Sequence, residues 1–348
     1  MLRVTCLSDL FVHLLTFMTN RASLQDIADQ LGITKMTVSR YFRSPEKVAP
    51  ATREKIAQAV KSAGYIHNRA PALMSKSLSH TIGVVIPSLS NQVFSALVDG
   101  IETITNSESF DILLAHSGYD PKVEERKIEM LLSYQVDGLI LCETEHTDRT
   151  RTMLKQAGIP VVECMELPEA PIDMVVGLDH KAAAFNAVSR MIASNKQHIV
   201  YLAARLDRRT MLRQQGYEQA MWEAGLTPQT VATPFQSSFS QGMKLLQQAL
   251  DTFDRVDGIF CTNDDLAVGA MQYCNNEGIR VPDDLAVMGY NGLDIGLTMQ
   301  PKLTSVVTPR QAIGIKSARL LIDVINGKVP SDKLFDLGYS YTEGESLS

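Results

Sequence analysis

The amino-acid sequence predicts an all-α helix-turn-helix head at the N-terminus, followed by an α/β core of two doubly wound lobes. Two observations predict the head: a pair of short amphipathic segments within residues 23–43, and a local excess of basic residues. The core is predicted because β-rich runs alternate with amphipathic helical segments from Thr81 onward. A chain of 348 residues, 45% hydrophobic and 21% charged, is long and apolar enough for both.

The first 17 residues are a hydrophobic run that Asp9 and His13 interrupt. The run contains only Arg3 as a basic residue, has no small-residue cleavage site, and is too short to span a bilayer. We therefore expect Met18 to be the natural start and residues 1–17 to be a non-native or disordered extension. A true N-terminal helix is the alternative.

The head is predicted from capping residues and helical spacing. Ser23 and Asp26 form an S-x-x-D capping box, and the apolar residues after Ser23 recur on one helical face until Gly32. Thr34 caps a second helix, and a third amphipathic segment over residues 52–63 closes a small core with Ile56, Ala59, Val60 and Ala63. This arrangement is typical of a helix-turn-helix that binds the DNA major groove, although an ordinary helical hairpin has the same spacing.

Charge is distributed unevenly between the head and the rest of the chain. Residues 18–76 contain ten Lys and Arg against four Asp and Glu, a net charge of +6. The whole chain carries −6 and residues 1–17 are balanced, so the remainder carries −12. A basic head on an acidic body indicates a polyanionic partner for the head.

The body contains strand-like runs separated by helical segments, among them "TIGVVIP", "FDILLAH", "VDGLILCE", "IPVVECM", "HIVYLAA", "VDGIFCTN" and "LAVMGYN". About nine strand candidates are too many for one small sheet, and "MVVGLDHKAAAFNAV" restarts the pattern midway. We therefore predict two lobes of parallel strands with a cleft between them. Ligands of such sheets bind beyond the carboxyl ends of the strands.

Neither a catalytic constellation nor a metal site is predicted. The sequence has no dinucleotide-binding or P-loop glycine pattern after a strand, no H-E-x-x-H and no G-x-S-x-G. Asp264 and Asp265 are expected to cap the helix that follows them. The five cysteines show no C-x-x-C spacing and lie mostly in apolar runs, which predicts buried thiols in a reducing cytoplasm. We expect no cofactor.

The runs "LQDIADQLGITKMTVSRYF", "TREKIAQAVKSAGYIHNRAPALMSKS" and "HTIGVVIPSLSNQVFSALVDGIE" resemble, in this order, the LacI/GalR family of bacterial transcription regulators. The resemblance covers nearly the whole chain. It implies a periplasmic-binding-protein-like core whose chain crosses between lobes near residues 180, 305 and 335. It also implies a homodimer on a palindromic operator, with DNA affinity controlled by a small molecule between the lobes. The predicted segments are 18–66 for the head, 67–79 for a hinge helix and linker, and 80–348 for effector binding and dimerisation.

The resemblance assigns DNA contacts by position. Lys35, Met36 and Arg40 correspond to residues that contact bases, and Met74 in the hinge corresponds to an apolar wedge in the minor groove. His67, where Pro is common, and Pro71, in the first hinge turn, depart from the family pattern. The predicted contacts to the DNA backbone are made by Thr34, Thr37, Ser39, Asn68 and Arg69.

The resemblance also places an effector site. Its key arginine falls on Arg213 and its asparagine on Asn263, whereas Asn291 stands where many sugar-binding members have Asp. A buried Asp would repel an anion, so Arg213 with Asn291 favours an acid. A surface Arg213 and a turn-forming Asn291 are the alternatives. Further candidates at strand ends or loops are Ser88, Asn91, Phe94, His116, Glu163 and Thr308.

Several runs are most similar to the gluconate and idonate regulators of this family, among them "TKMTVSR", "NRAP", "PSLSNQVF", "CTNDDLAVGA" and "LGY". The predicted effector is therefore a sugar acid: gluconate, a ketogluconate, idonate or a phosphorylated form. Glu163 argues against an acid and serves equally well as a structural ion-pair residue. A neutral sugar or nucleoside effector stays open. A transporter's sugar-binding protein would share the two lobes but would need an export signal and no basic head.

Overall fold

The computed structural model describes residues 22–66 and 78–347, which form two compact units on either side of the boundary before Leu78. The predicted extension at residues 1–17, the start at Met18, and the hinge with Asn68, Arg69 and Met74 lie outside the described residues. No helix in the described ranges is long and apolar enough to cross a membrane.

The first unit contains three helices: α1 (Leu24–Leu31), α2 (Lys35–Arg43) and α3 (Pro50–Ser62), with a 3-10 turn at Pro45–Lys47. The predicted capping box is confirmed, because Asp26 N donates to Ser23 Oγ at 3.2 Å and Ser23 N donates to Asp26 Oδ2 at 2.7 Å. Gly32 ends α1 in the left-handed region at φ 63°, and Thr34 caps α2.

The core of the first unit packs Ile27, Ala28 and Val38 against Ile56 and Ala59. Ala63 was expected to close this core, but it lies beyond the end of α3 and is exposed. Its place is taken by residues from the segments that flank α3, because the described core is completed by Val48 and Tyr65.

The second unit begins with the N-lobe, a six-stranded parallel sheet with helices on both faces. The elements of this lobe are β1 (Thr81–Ile86), α4 (Val93–Ser107), β2 (Asp111–His116), α5 (Pro121–Ser133), β3 (Gly138–Leu141), α6 (Asp148–Ala157), β4 (Val161–Cys164), β5 (Met174–Gly177), α12 (Arg310–Ile325) and β11 (Leu334–Asp336). The strand order is β11-β5-β4-β3-β1-β2. Helices α4 and α12 cover one face, and α5 and α6 cover the other.

The C-lobe repeats this plan with a second six-stranded sheet. The elements of this lobe are α7 (His180–Ala193), β6 (Ile199–Ala204), α8 (Arg208–Glu223), β7 (Gln229–Thr233), α9 (Phe239–Thr252), β8 (Gly258–Cys261), α10 (Asp264–Glu277), β9 (Ala286–Asn291), α11 (Asp294–Leu297), β10 (Thr304–Val307) and β12 (Ser340–Tyr341). The strand order is β12-β10-β9-β8-β6-β7, with only β12 antiparallel. Helices α7 and α8 pack on one face, and α9 and α10 pack on the other.

The chain passes between the lobes three times, after Gly177, after Val307 and after Asp336. These crossings lie within a few residues of the predicted positions. Residues 310–336 therefore complete the N-lobe only after most of the C-lobe has been traversed.

Glycines let the helices of each lobe approach closely. A Cβ added at Gly314 of α12 would lie well inside 3.0 Å of the Leu97 carbonyl in α4, and one at Gly216 of α8 would crowd the Lys181 carbonyl in α7 in the same way. No real Cβ tolerates such contacts, so both helix pairs require glycine there.

The cysteines of the described ranges, Cys142, Cys164, Cys261 and Cys274, are free and buried. This confirms the buried thiols predicted for Cys142, Cys164 and Cys261, which lie in strand-like runs.

Candidate functional site

The exposed face of α2 carries the predicted base-contacting residues. Lys35, Met36 and Arg40 are all exposed, and Met36 keeps 67% of its surface in solvent although it is apolar. Val38, on the opposite face, is fully buried. Thr34 lies at the start of the helix with its hydroxyl 3.0 Å from that of Thr37. A methionine left exposed beside two cations on a helix of this fold suits contact with base edges in a groove.

A small pocket lies between the lobes at the carboxyl ends of their strands, and we call it the inner pocket. Its volume is about 20 Å³, which is room for about one water molecule. The N-lobe lines it with Asn91, Val93, Phe94, Tyr119 and Met165, and the C-lobe lines it with Arg205, Asp207, Arg209, Arg213, Asn263 and Asn291.

Arg213 is the central cation of the inner pocket and is almost fully buried. Its Nη1 donates to the Thr262 carbonyl at 2.8 Å and to Asn263 Oδ1 at 3.4 Å, and its guanidinium stacks 4.0 Å above the Tyr290 ring. Among the residues the structure describes, no carboxylate lies within ion-pair distance of Arg213, and its Nε has no hydrogen-bond partner. A buried cation in this state is poised to bind an anion.

Asn291 lies beside Arg213 and is completely buried. Its Nδ2 donates to Asn263 Oδ1 at 2.8 Å, while its Oδ1 has no partner among the described residues. Its backbone is left-handed at φ 106°, a conformation that costs energy for a side-chain-bearing residue and that Asn tolerates better than most. The pocket therefore presents an unpaired acceptor, Asn291 Oδ1, and an unpaired donor, Arg213 Nε, among the described residues.

Four other side-chain-bearing residues at the cleft share a positive φ, namely Tyr119, Met165, Arg205 and Leu206. The described ranges contain nine such residues, so more than half lie at this one place. Strained backbone concentrates where function requires an unfavourable conformation.

Of the predicted effector residues, the structure brings Asn91, Phe94, Arg213, Asn263 and Asn291 together around the inner pocket. Asn91 Nδ2 donates to the Tyr119 hydroxyl at 3.1 Å. Phe94 lies beneath the Arg209 guanidinium at 5.8 Å.

The remaining four predicted residues do not line the inner pocket. Ser88 is used by its own loop, since its hydroxyl accepts from Asn91 N at 3.3 Å. His116 is exposed at the end of β2, the sheet edge. Thr308 is buried at a crossover, 3.5 Å from the Asn291 carbonyl.

Glu163 has the structural role that the sequence left open. It is fully buried, accepts from Ile172 N at 2.5 Å and lies 3.4 Å from His146 Nε2. His146 Nδ1 lies 2.7 Å from Glu124. Burial lowers the pKa of His146, but the two carboxylates outweigh that effect and raise it to about 9. This buried trio holds α5, β4 and the β3–α6 loop together within the N-lobe.

Asp264 and Asp265 start α10, but Asn263 occupies the N-cap position, so the expected capping role is corrected. Asp264 is fully buried and accepts from Leu293 N at 2.5 Å and from the Ser305 hydroxyl at 2.6 Å. Burial raises its pKa to about 7. The carboxylate cross-links the loop after β9 to β10 behind the inner pocket.

Comparison with known proteins identifies the chain. Residues 23–68 match the model of bacterial regulatory proteins of the lacI family, and residues 79–337 match the model of periplasmic binding proteins and the sugar-binding domain of the LacI family. The chain belongs to the LacI family. It is a DNA-binding transcriptional regulator with a helix-turn-helix head.

Two curated LacI-family relatives are similar along almost their full length. The transcriptional regulator GntR of Escherichia coli K12 is 48% identical over 94% of this chain and 99% of its own. IdnR of the same strain is 43% identical over the same shares. Both agree with the predicted resemblance to gluconate and idonate regulators.

Solved structures agree on the fold. A LacI-family regulator from Silicibacter pomeroyi matches with a TM-score of 0.88 at 26% identity, over 94% of this chain and 99% of its own. GntR from Chromobacterium violaceum matches with a TM-score of 0.75 at 33% identity, over 77% and 99%. The operator-bound lac repressor dimer, at 23% identity, shares the fold with a TM-score of 0.82.

The arginines that join the lobes of this LacI-family chain were not predicted from its sequence. Arg205 Nη1 donates to the Tyr119 hydroxyl at 2.7 Å. Arg208 Nε donates to Glu166 at 2.5 Å. Each of these contacts joins a C-lobe cation to an N-lobe acceptor.

Arg209 makes the most buried contact of this kind. Its Nη2 donates to Glu143 at 2.6 Å and its Nη1 to the Cys142 carbonyl at 2.7 Å. Burial raises the pKa of Glu143 to about 7, although the charge of Arg209 opposes the shift. Burial also acts on Asp207, but Arg209 and the Thr210 N–H outweigh it and hold the pKa of Asp207 below its ordinary value. The signal in the sequence was the pair of runs "RLDRRTMLR" and "CETE", each directly after a strand.

Proposed function

We propose that this LacI-family chain is a sequence-specific repressor whose affinity for operator DNA is controlled by a small sugar acid bound between the lobes. The observation that carries the proposal is Arg213, a buried cation in the cleft with no carboxylate partner among the described residues. The unpartnered Asn291 Oδ1 beside it suits a hydroxyl group on the same ligand. A ligand with a carboxylate next to hydroxylated carbons satisfies both.

In this proposal the chain acts in the cytoplasm as a homodimer whose two-fold axis matches that of a palindromic operator. Residues 18–66 form the head, residues 67–79 form the hinge and linker, and residues 80–348 bind the effector and dimerise. Lys35, Met36 and Arg40 contact bases, while Met74 enters the minor groove. The protein has no catalytic role.

The effector controls DNA binding through its differential affinity for two arrangements of the lobes. The inner pocket has room for about one water in the present arrangement, so a sugar acid requires the lobes to move. Any such movement must rearrange the contacts that Arg205, Arg208 and Arg209 make with the N-lobe. Effector binding is thereby linked to the geometry of the lobes.

The effector class is tested by thermal unfolding of the chain with aldonates, ketoaldonates, their phosphates and matched neutral sugars. A ligand at a hundred times its dissociation constant adds about 2.7 kcal/mol to the free energy of unfolding. We expect acids alone to stabilise the protein and Arg213→Ala to abolish the effect. Stabilisation by neutral sugars or nucleosides, with no effect of acids, would contradict the proposed effector.

Arg190→Ala is the matched control for the loss of an arginine. Arg190 also stacks on an aromatic ring of the C-lobe, 4.3 Å above Tyr341, but it is exposed and does not line the cleft. It should leave stabilisation by acids intact.

The DNA contacts are tested by operator binding with matched and mismatched sites. Lys35→Ala and Met36→Ala should change which operator is preferred, because base contacts specify sequence, while Arg69→Ala should weaken all operators similarly. Equal losses on every site for all three variants would refute this assignment.

A further inference from the structure

The cleft continues outward from the inner pocket into a larger space of about 260 Å³, which we call the outer cavity. Tyr119, Arg205 and Asp207 line both spaces and so stand at their boundary. The outer cavity is otherwise lined by residues that follow β2 and β3, by the start of α5 and by the loop before α8. Its polar residues that do not reach the inner pocket are Ser117, Asp120, Glu124, Glu143, Glu145 and Arg208.

The two spaces differ in charge. The charged residues that line only the inner pocket are Arg209 and Arg213. Those that line only the outer cavity are four carboxylates and a single arginine. The cleft therefore has a cationic inner end and an anionic outer end.

Ion pairing does not cancel the outer charge. Arg208 is shared by two carboxylates, Glu145 and Glu166. His146 is likewise shared by Glu124 and Glu163. Asp120 caps α5 and has no ion-pair partner within 4.0 Å among the described residues. Each of these three groupings contains one more carboxylate than cation.

The outer cavity also contains polar atoms that lack partners within the described chain. Ser117 is 2% exposed and its hydroxyl makes no hydrogen bond, and Glu124 is 1% exposed with a free Oε1. Arg205 Nε, at the boundary, has no partner either. Buried groups of this kind favour a ligand that supplies hydroxyls, which donate to a carboxylate and exchange hydrogen bonds with a serine.

We propose that the outer cavity binds the hydroxylated tail of the sugar acid and rejects a second anionic group, so that the effector is the free acid and not its phosphate ester. This inference rests on the proposed function, because the carboxylate of the ligand is assigned to Arg213. In the present arrangement of the lobes the inner pocket has room for about one water, whereas the adjoining outer cavity is about 260 Å³, so the outer cavity is the space that the tail can use. A terminal phosphate would then lie among three carboxylates in excess of the cations that pair with them.

The test is calorimetric titration of the full chain with gluconate and with its 6-phosphate ester. We expect gluconate to bind at least about tenfold more tightly, because like charges placed together in a partly desolvated site repel strongly. The double variant Asp120→Asn, Glu145→Gln removes two outer charges, and Asn still caps α5. It should narrow the ratio of the two affinities by about threefold or more.

Glu169→Gln is the matched control. Glu169 is an exposed carboxylate of the same lobe that does not line either space. It should leave the ratio of affinities unchanged.

A second measurement tests the tail contacts. Ser117→Ala should weaken gluconate by about fivefold, as expected for one lost buried hydrogen bond. It should leave glycerate, a three-carbon acid too short to reach the outer cavity, unaffected. Equal losses for both acids would contradict the assigned position of the tail.

The two proposals fail in different ways. If gluconate binds through Arg213 but the ester binds equally tightly in the wild type, or if the double variant leaves the ratio unchanged, only the role of the outer cavity is refuted. If no acid binds and neutral sugars do, the proposed function itself is refuted.

Discussion

The N-lobe and the C-lobe present the carboxyl ends of similarly ordered parallel strands to the cleft, but the side chains at these two edges differ in charge. The N-lobe supplies Glu143, Glu145 and Glu166, and the C-lobe supplies four arginines between Arg205 and Arg213. Three of those arginines contact N-lobe acceptors, while Arg213 does not. Two lobes of the same architecture thus contribute opposite charges to the contacts across the cleft. Arg213 takes no part in these contacts and is available to bind a ligand.

The largest expected effect on stability comes from removing one partner of the Arg209–Glu143 contact between the lobes. Arg209→Ala leaves Glu143 without its cation in a mostly buried site, which should cost about 3 kcal/mol of unfolding free energy at pH 8. The pKa of Glu143 is already raised to about 7, and it will rise further without Arg209. Because a carboxyl with a raised pKa is neutral at lower pH, the cost should shrink as pH falls towards 5.

Denaturant unfolding at several pH values measures this effect. The double variant Arg209→Ala, Glu143→Gln serves as the control and should recover most of the loss at pH 8. A loss that is the same at every pH would show that packing, and not charge, dominates the contact.

The next effect is the loss of stability when alanine replaces the glycine at a close helix contact. It should be equal in the two lobes, because both have such a contact. Gly216→Ala in the C-lobe and Gly314→Ala in the N-lobe each force a Cβ onto a carbonyl of the neighbouring helix. Such overpacking should cost about 2 kcal/mol in either lobe. Alanine at Gly225, which has open space but a φ of 70°, separates helix crowding from backbone strain. Tolerance of Ala at only one of the two helix contacts would break the equivalence of the lobes.

A third prediction concerns His146, a buried cation that lies between the carboxylates of Glu124 and Glu163 in the N-lobe. The pKa of His146 is raised from 6.5 to about 9, so its charge stabilises the fold fully below pH 6.5 and ceases to do so as pH rises through 9. Each pKa unit corresponds to about 1.4 kcal/mol, so a rise of between two and three units predicts a decline of about 3 kcal/mol in the free energy of unfolding across this range. His146→Gln should remove most of that decline, as measured by unfolding between pH 6 and pH 10. Parallel profiles for wild type and variant would exclude this ionisation.

The smallest effect tests the ligand end of the C-lobe. Asn291→Asp places a carboxylate beside Arg213 and should weaken binding of a sugar acid by about tenfold. A neutral sugar should gain or keep its affinity. Titration with matched acid and neutral ligands measures the difference, and an unchanged preference would mean that Asn291 does not face the anion. Asn276→Asp, on the exposed end of α10, provides the control.

Sequence patterns predicted the parts of the fold that repeat. The strands β1, β2, β3, β4, β5, β6, β8 and β9 all lie within predicted runs. The strands that lie outside the predicted runs are β7, β10, β11 and β12. Three of these contain two to four residues, too few for a pattern, and β7 is an edge strand with mixed burial.

The candidate site was predicted where a family position coincides with a buried polar residue, as at Arg213, Asn263 and Asn291. The contact between Arg209 and Glu143 was not predicted, because it joins residues 66 positions apart in different lobes. His116 follows a strand as a site residue would, yet its strand lies at the sheet edge, away from the inner pocket. A position at a strand end does not specify which way the side chain points.

The three crossings between lobes have a consequence for synthesis on the ribosome. The segment that forms α12 and β11 lies after β10 in the chain, so the first lobe to emerge lacks a helix and an edge strand until nearly the whole polypeptide has been made. The C-lobe also waits for β12. Neither lobe can therefore complete its sheet until the last part of the chain has left the ribosome. A chain truncated before Arg310 would contain two incomplete lobes and no intact domain.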